Sequence, residues 1–390
     1  MERVTTSVIH PALIDTREAF NTFVKAFDNA GAFAIDIESN GFYNFREKTC
    51  ILTISIPGHD VAIDSLALWD EMPRLAPAFA DPGRNILAHG SSYDVTSLKR
   101  DFGFTFANLF DTMIAAQMLD QPKVGLADLV RENFGVEMAK ELQRYNWAER
   151  PLLEEHMHYL LADTKYLFEL HDILNKKLAE KDLLDEYRIE CDVVANQPGA
   201  VSAASDPDSW LRIKEARAMS PAQRGVLRAV NDVRRTIAEA EDLAPFRVAS
   251  NSFLADIAFR QPATRDELLA LKGYNPKLIE THAGEFLEAA ALGYDNPIHR
   301  LPRNEDDAPL RGRPLPLERD LAKRLKTWRT AEAAKRGIGI QAVLPTPLLN
   351  DIVRDPPRNI EELGRHPRMG MKRVEKYGEV LMTFAAEMKR

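Results

Sequence analysis

A chain of 390 residues with 45% hydrophobic and 28% charged side chains is too long for one small core and has the balance of a globular protein of two or three domains. No apolar run nears the ~20 residues that span a bilayer, and the opening MERVTTSVIHPALIDTREAF lacks an apolar signal core, so neither a membrane span nor secretion is expected. Cys50 and Cys191 offer neither metal-ligand spacing nor a disulfide framework, so a reducing, cytoplasmic setting is expected. The net charge of -8 is unevenly spread, because residues 297–390 hold 20 Lys/Arg against 13 Asp/Glu. A basic C-terminal part beside an acidic N-terminal part suits a substrate-gripping module joined to a carboxylate-rich site; ordinary variation between domains gives the same contrast.

In chain order, residues 31–65 read as strands: GAFAIDIES, CILTISIPG and HDVAIDSL, with turn residues between them. A helix is expected near Leu66–Phe79, ended by Asp81-Pro82-Gly83. NILAHG reads as a short strand leading into a helix from about Ser91 to Phe102. From Leu109 to Asp182 the spacing is helical, with one helix expected from about Leu152 to Glu180. Strands first, then strand–helix alternation, predict a mixed sheet flanked by helices. NQPGAVSAASDPD, within residues 196–208, reads as a linker, and a five-proline stretch from Pro297 to Pro316 reads as a second. Between and after them, the segment starting at Phe253 (FLADIAFRQPATRDELL) is echoed from Leu348 (LLNDIVRDPPRNIEELG). The ordered match of Asp-Ile, Pro, Glu-Leu and Gly argues for a duplicated helical unit. The expected division is residues 1–195, a linker at 196–208, a helical domain at 209–295, a linker at 296–316, and a second helical domain at 317–390.

Three elements carry chemistry. Asp36 and Glu38, two apart on a strand, point to the same face between apolar neighbours. Two adjacent carboxylates repel, and a hard divalent cation such as Mg²⁺ or Mn²⁺ relieves that; taken alone, such a pair is more often a solvated one. Asp94, in His89-Gly-Ser-Ser-Tyr-Asp94, falls in the first turn of a helix, where the dipole favours a carboxylate and where capping is the simpler role. Tyr159 and Asp163 share a helix face at i, i+4 spacing. In a hydrolytic site the acid ligates metal while the phenol orients or deprotonates water, although many such pairs are incidental.

The order D-x-E, then an Asp opening a helix, then Y-x-x-x-D resembles the DEDD exonuclease superfamily, tyrosine subtype. Leu109-Phe-Asp-Thr112, Trp147-Ala-Glu-Arg-Pro-Leu152 and the helical repeats extend the likeness to the ribonuclease D family, the repeats resembling HRDC domains. The His89–Thr112 stretch also resembles the eukaryotic exosome-associated relative, but two helical repeats favour the bacterial type. The resemblance implies a ribonuclease H-like α/β exonuclease domain followed by two all-α HRDC-like domains. It implies that Asp36, Glu38, Asp94 and Asp163 bind two divalent metal ions, Mg²⁺ or Mn²⁺, with Tyr159 as the fifth catalytic residue. It further implies 3′–5′ hydrolysis of RNA with a free 3′ end, precursor tRNA being the expected substrate, with release of nucleoside 5′-monophosphates and no obligate protein partner. An exodeoxyribonuclease of the same superfamily and a non-catalytic RNA-binding protein are the alternatives.

Around these, His89 is a candidate substrate contact or a strand-end histidine. Asp111 is expected to cap a helix. Trp147 and Arg150-Pro151 are expected to pack or cap a helix start, with Lys140 and Arg144 near enough to touch phosphate. Arg319, Lys323, Arg324, Lys326 and Arg329, and the segment Arg365–Lys376, are either solvated charges or RNA-backbone contacts.

Overall fold

The structure, a computed structural model, describes residues 12–139, 141–200, 206–301 and 316–387. Residues 201–205 and 302–315, within the two linkers read from the sequence, and most of the opening segment lie outside the described residues.

The N-terminal domain runs β1 (Ala12–Ile14), α1 (Arg17–Phe27), β2 (Ala32–Ser39), β3 (Thr49–Ile56), β4 (His59–Asp64), α2 (Ala76–Phe79), β5 (Asn85–Ala88), α3 (Ser92–Phe102), β6 (Leu109–Asp111), α4 (Thr112–Met118), α5 (Leu126–Phe134), α6 (Glu154–Lys165), α7 (Leu167–Glu180) and α8 (Leu184–Ala195). Its six strands form one mixed sheet in the order β1-β4-β3-β2-β5-β6. β2 is antiparallel to β3 and parallel to β5. Alternation along β2 sends Phe33, Ile35 and Ile37 into a core with Phe27, Phe79 and Leu98. Ala34, Asp36 and Glu38 take the other face.

The sequence reading departs from this in three places. Leu66–Phe79 holds only a 3₁₀ turn (Met72–Leu75) and the short α2; Pro73 and Pro77 each lack the N–H a longer helix needs. Leu109–Asp111, expected to be helical, is strand β6, paired in parallel with β5. The single helix expected from Leu152 to Glu180 is broken at Tyr166, whose backbone (φ -101, ψ 3) leaves the helical region while its ring stacks on Phe134 at 5.4 Å.

Two helical domains follow. The first comprises α9 (Pro221–Ala240), α10 (Pro245–Val248), α11 (Asn251–Arg260), α12 (Arg265–Leu269) and α13 (Pro276–Asp295). The second comprises α14 (Pro316–Arg336), α15 (Ile340–Val343), α16 (Thr346–Arg354), α17 (Ile360–Gly364) and α18 (Gly370–Glu387). One buried arginine marks the repeat. Arg234 donates to the carbonyl of Ala249, 15 residues on, and to Asn251. Arg329 donates to the carbonyl of Leu344, also 15 residues on, and to Thr346. Arg329 therefore serves the inside of its domain and is not available to RNA, and Arg324 is paired with Asp320 and Glu387.

The two domains dock differently. The second shares one continuous core with α4, α5, α7 and α8. Gly339 donates to the carbonyl of Met118, and a Cβ on Gly339 would meet the carbonyl oxygen of Gln117 at 1.8 Å. Arg368 and Arg373 reach Glu190, and Lys372 and Lys376 reach Asp182. Most of the cations in the Arg365–Lys376 segment are thus engaged by the N-terminal domain rather than simply solvated. The first domain keeps its own core and admits one visitor, Phe45 from the β2–β3 loop. Around it, Asn44 and the backbone of Arg46 donate to the Asp242 carboxylate.

Candidate active site

β5 pairs with β2 only as far as Ala34, so Asp36 and Glu38 stand beyond the carboxyl end of the parallel pairing, where open sheets of this kind form crevices. α6 packs across β2, β3 and β4, pinned by a buried bond of 2.7 Å between the hydroxyls of Ser55 and Thr164. That seating brings Asp163 over β2. Ligand oxygens of Asp36, Glu38 and Asp163 lie within 4.8 Å of one another. Asp94 sits in the first turn of α3 and is buried; it couples electrostatically to Asp36 and Glu38 but stands outside that tight trio and does not line the cleft.

Asp111 holds the loop that delivers Asp94. It caps α4 by accepting from Met113 and Ile114, and also accepts from the backbone of Gly90 and Ser91 and from the Ser91 hydroxyl. The expected cap is thus also a brace for the start of α3.

The electrostatics are one-sided. Burial raises the Asp36 carboxyl well above its usual range, followed by repulsion from Asp163, Asp94 and Glu38. Burial, then Asp163 and Asp94, pushes Glu38 up to about 9. Burial, then Asp111 and Asp163, lifts Asp94 to about 8, and burial lifts Asp163 to about 7. Among the described residues no arginine or lysine forms an ion pair with any of the four. Thr53, opposite Asp36 across the β2–β3 ladder, is buried with its hydroxyl unbonded. An all-oxygen donor set, desolvated and uncompensated, fits a hard divalent cation.

Tyr159 stacks on the buried Trp147 at 5.7 Å. Burial, then the nearby acids Asp163, Glu38 and Asp36, raises its phenol, which stays protonated and is a donor rather than a base. Trp147 therefore backs Tyr159, while Arg150 is clasped by both oxygens of Asp64 at 2.6 and 2.8 Å. Asp36, Glu38, Tyr159, Asp163 and His89 line one cleft of about 590 Å³. His89 bonds Thr112 through Nδ1 while Nε2 has no partner; burial holds its imidazole below the usual range, against the pull of Asp111. Arg144 lines the cleft, and Lys140 lies outside the described residues. Phe42, Met138 and Gln143 also line it. Sequence reasoning missed them; only Phe42 gave a signal, as an aromatic in a polar loop four residues after Glu38.

Residues 11–179 match the family model described as 3′–5′ exonuclease, and residues 223–290 and 318–384 each match the HRDC domain. The exosome complex component 10 homolog of Caenorhabditis elegans is 30% identical over 74% of this chain and 33% of its own length. The exosome complex exonuclease RRP6 of Saccharomyces cerevisiae is 27% identical over 65% of this chain and 36% of its own length. The chain thus spans about a third of these curated relatives. The catalytic core of RRP6 from Trypanosoma brucei superposes with a TM-score of 0.64 at 26% identity, covering 74% of this chain and 81% of that one. Escherichia coli RNase D shares the fold over 97% of this chain and 99% of its own, with a TM-score of 0.71 at 24% identity. Among the described residues, no helix is long and apolar enough to cross a membrane.

Proposed function

We infer that this chain, a member of the 3′–5′ exonuclease family with two HRDC domains behind its catalytic domain, hydrolyses RNA one nucleotide at a time from a free 3′ end. The observation that carries this reading is a set of desolvated carboxylates, Asp36, Glu38 and Asp163 lining a cleft with a protonated tyrosine and Asp94 buried behind them, with no Arg or Lys ion pair among the described residues. Asp36, Glu38, Asp94 and Asp163 would hold two divalent ions, Mg²⁺ or Mn²⁺, which when bound supply a water nucleophile and neutralise charge on the phosphate.

The residues of the chain do the remaining work. Tyr159 donates a hydrogen bond and orients the attacking water. Water oxygen bonds to the terminal phosphorus as the bond to the 3′ oxygen of the shortened chain breaks. That oxygen leaves with a proton, and a nucleoside 5′-monophosphate is released. His89 is a wall contact for the terminal nucleotide. Precursor tRNA in a cytoplasmic setting is the substrate we favour, because an exonuclease domain followed by two HRDC domains is the arrangement that resembles the ribonuclease D family.

Incubation of 5′-labelled RNA with the protein and Mg²⁺ is expected to give a ladder of shortened products. Equal degradation of the same RNA with a blocked 3′ end would sink the assignment.

A further inference from the structure

The loop after the Asp36–Glu38 pair ties the first HRDC domain to the lip of the cleft. Phe45 is inserted in the HRDC core, Ala244 donates to the carbonyl of Tyr43, and Arg247 donates to the carbonyl of Phe42 at 2.7 Å. Tyr43 in turn donates from its hydroxyl to the carbonyl of Arg144, another residue of the cleft. These bonds seat α10 against the β2–β3 loop, whose Phe42 lines the cleft. At the point of contact, Phe42 and Phe246 meet edge to face with centroids 6.2 Å apart and an interplanar angle of 75°. Domain docking normally buries such rings, yet Phe42 is 54% and Phe246 53% exposed.

Phe42 lines the cleft together with Asp36, Glu38 and Asp163; Phe246 extends the same apolar surface outward onto the HRDC domain. Beside the pair, Arg247 is exposed, with its guanidinium 4.0 Å above the Tyr43 ring, and Arg144 is exposed on the cleft wall. Half-exposed aromatic faces flanked by cations, continuous with a site that takes a strand terminus, have the chemistry that unpaired nucleic-acid bases and their phosphates recognise. We propose that Phe246 provides the face on which an unpaired base of the incoming RNA strand stacks, upstream of the terminal nucleotide. Stacking of this kind is sequence-tolerant, because every base has a π face.

The inference rests on the exoribonuclease reading, but its test does not depend on cleavage. Binding of a 5′-labelled single-stranded RNA is measured in EDTA, and KM and kcat are measured on the same RNA in Mg²⁺. Phe246→Ala is expected to raise both Kd and KM about tenfold while kcat stays within about twofold. Phe246→Trp is expected to restore both constants and to add tryptophan fluorescence that RNA quenches. Thermal melting of each variant shows whether the fold is kept, as the exposure of Phe246 predicts. If Phe246→Ala binds and trims like the parent, the pair is a domain contact only and the proposal is overturned. It is overturned equally if binding falls and tryptophan does not restore it. A parent that leaves RNA uncut in Mg²⁺ would defeat the exoribonuclease reading, while the metal-free comparison would still decide the stacking.

Discussion

Two acidic clusters lie on the same catalytic domain, and their surroundings treat them in opposite ways. Around the start of α8, Asp182, Asp185, Glu186 and Glu190 face Lys372, Lys376, Arg368 and Arg373 of the second HRDC domain. Hydrogen bonds from Lys372 and Lys376 draw Asp182 down to about 2. At the cleft, Asp36, Glu38 and Asp163, with Asp94 buried behind them, meet no such cation among the described residues and are all pushed upward. Acids that a fold neutralises with its own side chains serve the fold. Acids brought together without neutralisation store repulsion that an outside cation can relieve.

Breaking each cluster should therefore damage a different property. The largest effect is expected for Asp163→Asn, which should lower kcat/KM by about 10³-fold or more. Its metal-free stability in urea should be unchanged or higher, because a repulsion is removed. A clear loss of stability with cleavage intact would show that the cleft acids are structural. Glu190→Gln should do the reverse. Arg373 is wholly buried, and removing one partner of a buried pair costs about 3–5 kcal/mol, so the urea midpoint should fall while kcat per folded molecule holds. Mn²⁺ sharpens the contrast. At about 100 times its Kd it should stabilise the parent by about 2.7 kcal/mol, and it should have no effect on Asp36→Asn/Asp163→Asn.

The smallest effect is on pH dependence, and its sign differs between the clusters. The cleft acids have folded values raised above those of the unfolded chain, so in EDTA their contribution is fully present near pH 4 and is lost as pH rises through about 7 to 9. Asp182 is depressed, so its contribution is present above about pH 4 and fades as pH falls through about 2. Asp182 is exposed, which keeps that acid-side effect small. Metal-free melting curves should accordingly lose stability toward alkaline pH, and saturating Mn²⁺ should flatten that limb.

Much of this was legible in the sequence, for identifiable reasons. The two-residue spacing of Asp36 and Glu38 and the four-residue spacing of Tyr159 and Asp163 are local periodicities, which a strand and a helix convert directly into shared faces. The repeat was visible because the duplicated unit keeps its polar landmarks. What escaped was set by distant partners. Strand β6 has three residues and no pattern of its own; β5 makes it a strand. Lys372 and Lys376 look like any solvated basic run until α8 is folded against them. The break at Tyr166 coincides with a stacking contact to Phe134, 32 residues earlier, which no local pattern shows.

Phe45 bears on anyone who wants the catalytic domain alone. The ring leaves that domain to sit, 7% exposed, among Trp210, Val230 and Phe253 of the neighbouring unit. A chain cut in the 196–208 linker would carry this side chain into water on a short loop next to the cleft. Burying a phenylalanine is worth roughly 1.5–3 kcal/mol, and the orphaned ring would become a sticky tip that draws truncated molecules together. Trimming the protein for crystallography or engineering should begin by replacing Phe45 with a polar residue. The replacement that improves the fragment will weaken the parent, because one side chain acts as a bolt in the whole protein and a burr in the part.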